Sequence, residues 1–250
     1  MNVLLPIVSL LMSTALLLVG HGMQLTLLPL RGAEIGMSSS LIGISASGYF
    51  LGFIVGCFIV PKLVVRVGHI RVFAVLSAIT ACVVLSLEML DHWVFWLVLR
   101  FVTGVTMSGL YAVIESWLNG RTNNQNRGQI LALYTFVVLS SMAAGQMFVN
   151  IGPIDSSIPF SVAVLFLTLA IVPIGLTRRI APAPIESTTP GFALLYRRSK
   201  SAFSGAILSG LVTGSFWSLG AIFSSQYTQS LSEVTWFMTV AIVGGAIMQY

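Results

Sequence analysis

Long apolar runs alternate along this chain with short polar segments. The runs fall at about 4–29, 40–60, 72–90, 93–118, 129–150, 159–177, 202–224 and 234–250. Each is close to the ~20 residues a helix needs to cross ~30 Å of hydrocarbon. None alternates apolar and polar residues in the way a barrel strand does. Only helices and closed barrels satisfy their backbone groups in lipid. The pattern therefore predicts an all-α, polytopic membrane helix bundle with eight spans.

The polar segments carry the orientation. Ten of the twelve Lys and Arg residues sit in three of them. Lys62, Arg66 and Arg71 lie in 61–71. Arg121 and Arg127 lie in 119–128. Arg178, Arg179, Arg197, Arg198 and Lys200 lie in 178–200. The alternate segments hold Arg31 as their one basic residue, with Glu34, Asp91 and Asp155. Basic loops are retained in the cytoplasm, so the N-terminus is expected inside and the even-numbered spans end inside.

Composition agrees. Charged residues are 8% of the 250 and mean hydropathy is +0.97, against roughly 25% charged residues in a soluble domain. The net charge of +5 then reflects topology and not nucleic-acid binding. The first run is too long for the apolar part of a signal peptide and lacks a basic start, so it is read as a span. Cys57 and Cys82 fall inside spans and are expected to pack as small apolar residues. No CxxC, metal-ligand spacing, phosphate-binding glycine loop or catalytic triad is present, so no enzyme activity, metal or cofactor is expected.

The 178–200 segment, with Pro182, Pro184 and Pro190, reads as a linker. Its end, Gly191 to Arg198, mixes apolar and basic residues and suits either a short surface helix or an ordinary basic loop. A faint repeat at an offset of 194 aligns Gly20 with Gly214, Leu27 with Ala221 and Ser38 with Ser232. The division expected is a six-helix bundle at 1–177, a cytoplasmic linker at 178–200 and, at 201–250, the first two helices of a second bundle. Two such halves would total about 388 residues. The chain is therefore read as a fragment or a truncated product.

Two motifs carry a family resemblance. Arg66-Val67-Gly68-His69-Ile70-Arg71 resembles the G-x-x-x-D-R-x-G-R-R loop between spans two and three of the major facilitator superfamily. Leu99-Arg100-Phe101-Val102-Thr103-Gly104 resembles that family's R-F-x-x-G start of span four. The stretch from Glu115-Ser116-Trp117-Leu118-Asn119 to Asn126-Arg127-Gly128-Gln129 is similar to the YcaD-like branch of bacterial carriers. Val65 replaces the family's Asp, and Pro61 its leading Gly. The resemblance implies a cytoplasmic charge network of Arg66, Gly68, Arg71 and Arg127, with Glu115 substituting for the missing Asp. Ala143-Ala144-Gly145-Gln146-Met147 lacks the G-P-x-x-G-G run of many drug/proton antiporters.

Polar residues within spans are costly and tend to be functional. Arg100 lies about eight residues into span four, ~12 Å deep at 1.5 Å per residue. It suits substrate-anion binding or proton coupling, the alternative being a packing role bonded to helix carbonyls. His21 can exchange a proton near neutral pH. Gln24, three residues on, shares its face. Gln146 and Trp217 complete the candidate path. Glycines 48, 52 and 56 form a stripe suited to close helix packing.

These features lead to an expected secondary active transporter of a small solute or ion. It would work by alternating access and proton coupling, as a multi-pass protein of a bacterial inner membrane. The partners are the substrate and the lipid bilayer, with no nucleic acid. The rival readings are a membrane sensor or assembly protein on the same scaffold, and a non-functional carrier fragment.

Overall fold

The computed structural model describes residues 4–122, 125–176, 192–228 and 230–248. Its elements are helices, in chain order α1 (Leu4–Glu34), α2 (Ser39–Val67), α3 (His69–Met89), α4 (Trp93–Asn119), α5 (Arg127–Phe148), α6 (Ser157–Leu169), α7 (Ile171–Gly175), α8 (Phe192–Arg198), α9 (Lys200–Ser225) and α10 (Leu231–Ile247). A 3-10 turn at Val149–Ile151 extends α5. Among the described residues seven spans are long and apolar enough to cross a membrane, with α6 and α7 together forming one. The eighth, α10, has 17 residues, which is ~25 Å at 1.5 Å per residue and short of the hydrocarbon thickness.

The helices begin where the sequence offers capping groups. The Ser38 side chain accepts from the Leu41 amide at the start of α2, and Ser199 accepts from the Ala202 amide at the start of α9. His92 Nδ1 accepts from the Val94 amide at the start of α4. These satisfy backbone donors that a helix cannot satisfy itself. The α2–α3 connection departs from expectation. The sequence suggests a loop over 61–71, but α2 runs through Pro61 to Val67 and α3 begins at His69. An apolar helix has no reason to stop at the hydrocarbon edge, and Pro61 costs it one hydrogen bond without ending it. The break falls on Gly68 alone, at φ 87°, a conformation that side chains resist.

Spatial order differs from chain order. α2 packs on α4, α4 on α3, α3 on α6, α6 on α1, and α1 on α5; α10 lies against α5 and α9, and α9 touches α1 and α2. α1 is the central helix, buried almost continuously from Leu17 to Pro29. Hydrogen bonds stitch neighbours together. Ser77 donates to the Leu167 carbonyl at 2.6 Å, Thr80 to Thr106 Oγ1 at 2.8 Å, and Asn150 to Thr235 Oγ1 at 2.8 Å. In a membrane such bonds contribute on average ~0.6 kcal/mol each.

The α2–α4 crossing is the closest. A Cβ placed on Gly104 would lie 1.9 Å from the Tyr49 carbonyl oxygen, and one on Gly52 would lie 2.0 Å from that of Phe101. Backbone touches backbone there, so the expected glycine packing holds. Cys57 and Cys82, by contrast, are exposed on the bundle surface and do not pack between helices. The linker residues Arg178, Arg179, Pro182, Pro184 and Pro190 lie outside the described residues. Residues 192–198 do form a short helix ending in Arg197 and Arg198.

The crossing makes a testable distinction between glycines. Gly104→Ala should destabilise the protein by ~1–3 kcal/mol, the range for overpacking. Gly210→Ala, where nothing lies within 4 Å of the added Cβ, should leave stability unchanged or slightly raised. Thermal unfolding of both purified variants in detergent checks the pair.

Candidate functional site

The α2–α4 crossing fixes two side chains relative to each other. Tyr49 neighbours Gly48 on α2, and Arg100 lies one turn before Gly104 on α4. The Arg100 guanidinium carbon sits 4.8 Å from the Tyr49 ring centroid, a cation–π contact. On α1, the His21 ring stacks on the same tyrosine, with centroids 6.0 Å apart and planes 22° from parallel. Three helices thus each supply one member of a His21–Tyr49–Arg100 group.

This group faces a cavity of about 160 Å³, whose further walls include Phe50, Tyr111, Trp217 and Ser218. A recess of about 20 Å³, room for about one water, adjoins it at Arg100, Trp217 and Ser218 and adds Gln24, Ser45 and Trp96. Within the described residues, the buried His21 Nδ1, Arg100 Nη1 and Gln24 Oε1 have no hydrogen-bond partner. The other end of Gln24 is occupied, its Nε2 donating to the Gly20 carbonyl at 3.3 Å. Among the described residues, Arg100 has no carboxylate in ion-pair range; the ion pair present joins Arg31 and Asp91 at 4.0 Å, with Asp91 well exposed. A guanidinium stays charged in proteins, so the cavity holds a net positive charge.

A larger space of about 310 Å³ lies between α5 and α10, lined by Phe136, Leu139, Ile242 and Val243 among others. Its walls are almost wholly apolar and carry no charged group, so it lacks chemistry to hold a polar solute. The smaller cavity around Arg100 is the candidate site.

The structure brings together His21, Arg100 and Trp217, with Gln24 in the adjoining recess. Gln146 stands apart. It is fully buried, its Nε2 donates to the Gly22 carbonyl at 2.9 Å, and its Oε1 accepts from the Thr26 hydroxyl. It fastens α5 to α1 and does not line the cavity. Tyr49, Tyr111 and Ser218 were missed from sequence. Glycines 48, 52 and 56 mark the α2 face that meets α4, and a tyrosine next to that stripe, at mid-span, was the available signal.

At the basic end, Arg66, Arg71 and Arg127 are exposed, and Gly68 links α2 to α3. Glu115 forms no ion pair with any of these arginines. It accepts instead from the Tyr134 hydroxyl of α5 at 3.5 Å. The physical reason is local: Tyr134 is buried against α4, whereas the guanidinium groups extend from exposed positions. His69, the residue after Gly68, is buried and its Nε2 lies 3.1 Å from Ser116 Oγ.

A bundle of long apolar helices around a charged central cavity defines a multi-pass membrane protein. The chain belongs to the Major Facilitator Superfamily, whose family model matches residues 10–250. It is 30% identical over 251 residues to an uncharacterised MFS-type transporter of Enterobacter sp. (strain 638), covering 98% of this chain and 65% of that protein. It is likewise 30% identical over 250 residues to the uncharacterised MFS-type transporter YcaD of Escherichia coli (strain K12 / DH10B), with the same coverage of each. The chain thus spans about two thirds of the length of these relatives. A mutant form of the nucleoside transporter NupG superposes with a TM-score of 0.79 at 12% identity, over 97% of this chain and 66% of that one. The unmutated NupG structure gives 0.73 at 11% identity, over 97% and 65%. At such identity the likeness is one of fold.

The clamp at Gln146 yields a prediction. Gln146→Leu leaves the Gly22 carbonyl and Thr26 hydroxyl without their partner. It should cost ~1 kcal/mol, within the range measured for interhelical hydrogen bonds in membranes, with helical content unchanged. Thermal unfolding in detergent, followed by circular dichroism, checks both.

Proposed function

We propose that the protein is a secondary active transporter of a small solute, working by alternating access at the Arg100 cavity and coupled to protons through His21. One observation carries the reading. A cavity holding an unpaired charge is walled by residues of α1, α2, α4 and α5 from the first six spans together with Trp217 and Ser218 of α9. In our reading the chain divides into a six-helix unit at 1–177, a linker at 178–200 and the start of a second unit at 201–250. Rocking of one unit against the other would then open the cavity to either side. The imidazole of His21, in the wall of that cavity, is the side chain assigned to carry the proton in this reading.

The basic end is the cytoplasmic end in this proposal, with the N-terminus inside a bacterial inner membrane. Glu115 is the movable part of the gate. It is held by Tyr134 in the present conformation, and it pairs with Arg66, Arg71 or Arg127 in the other access state. An interfacial pair of that kind contributes ~1 kcal/mol or less, enough to bias two states of similar energy.

The test is reconstitution of the full-length protein into liposomes, with solute counterflow measured with and without an imposed pH gradient. Counterflow in neither condition, across a broad panel of small solutes, refutes transport. Given a transported solute, Arg100→Ala should abolish flux while leaving expression and membrane insertion intact. Arg100→Lys should restore only part of it, because an ammonium cannot reproduce the guanidinium fork.

Orientation is checked separately. With Cys57 and Cys82 replaced by Ser, single cysteines at Arg66 and Arg197 should react with an impermeant maleimide only after the membrane is opened. Labelling of both in sealed cells reverses the assigned topology.

A further inference from the structure

We infer that the solute taken by this cavity is a small organic monoanion carrying a flat ring, seated with its anionic group on the edge of the Arg100 guanidinium. The inference rests on the transport reading above and narrows it to a substrate class.

The first argument is charge. Arg100 is a full positive charge deep in the bundle, and among the described residues neither the cavity nor its recess has an acidic residue in its walls. An unpaired buried charge is costly. A cationic solute would add repulsion. A neutral solute would displace water from Arg100 and leave the charge uncompensated. A dianion would bring one charge too many for a single guanidinium while the His21 imidazole is neutral. A monoanion matches one for one.

The second argument is direction. The face of the guanidinium is taken by the Tyr49 ring at 4.8 Å. Its edge is not, and the buried Nη1 lacks a partner there. Edge N–H groups in the guanidinium plane are what a carboxylate binds, with two parallel hydrogen bonds. The unpartnered Nδ1 of His21 and Oε1 of Gln24 extend the recognition. The imidazole can donate to the same anion, and the amide oxygen can accept from a hydroxyl or N–H on the solute.

The third argument is the wall. Tyr49, Phe50, Tyr111 and Trp217 are all aromatic, and flat apolar bodies stack on such rings. The volume of about 160 Å³ is close to the ~150 Å³ at which an engineered cavity accepts benzene. A single ring with one anionic substituent fits both the shape and the charge.

The test uses matched solutes on the full-length protein purified in detergent: benzoate, its neutral amide benzamide, ringless acetate, and the neutral nucleoside uridine. Binding is measured by calorimetry. Benzoate is expected to bind at least about tenfold more tightly than benzamide or acetate, a difference of ~1.4 kcal/mol per factor of ten. In Arg100→Gln the preference for benzoate over benzamide should vanish. In Arg100→Lys, which keeps the charge and guards against a folding artefact, a weakened preference should persist. Equal binding of benzoate and benzamide overturns the inference, as does binding of uridine with none of benzoate. Counterflow in liposomes keeps the two readings apart. Flux of neutral solutes alone removes the anion and leaves the transporter. Benzoate binding without flux of any solute leaves the anion site and removes the transporter.

Discussion

Two backbones in contact set the geometry of this molecule. In lipid there is no hydrophobic gain from pressing one apolar helix on another, because lipid tails are as apolar as leucine. Helices then associate through close van der Waals packing and a few hydrogen bonds. Gly52 and Gly104 let α2 and α4 approach until carbonyl oxygens of one helix occupy the space where side chains of the other would be. That approach brings Tyr49 over Arg100, and Tyr49 in turn carries the His21 ring. The placement of Tyr49 against Arg100 thus follows from a pair of missing side chains.

Two glutamines show how the same chemistry serves opposite ends. Gln146 and Gln24 are both buried among helices. Gln146 uses both ends of its amide on α1 and joins two helices. Gln24 turns one end back on its own helix and leaves its oxygen unbonded, in a recess that Arg100 also lines. A satisfied buried amide rigidifies its surroundings, whereas an unsatisfied one awaits a partner. Residue type cannot separate these roles, and in the sequence both glutamines stood among the candidates for the solute path.

The sequence was informative wherever physics acts along the chain. Apolar runs of bilayer length, basic clusters between them, and a lone arginine within span four are one-dimensional signals, and they gave the helical bundle and the residue at its centre. It was less informative where neighbours decide. Tyr49 matters because α1 and α4 meet on either side of it, which no local pattern records. The run of α2 through Pro61 was hidden because proline is read as an end, although membrane helices tolerate an internal proline and Gly68 supplies the real break. Cys57 and Cys82 look like packing residues by type, but the helix face on which each falls points outward. The repeat at an offset of 194 is faint in identities, yet it aligns Ser38, the cap of α2, with Ser232 in the first turn of α10.

Trp217 and Ser218 close the cavity from α9, a helix that leaves the ribosome after all the others that line it. The tyrosine lying across the guanidinium comes from α2, earlier in the chain than both α4 and α9. A partner for the charge is therefore encoded ahead of the helix that carries it.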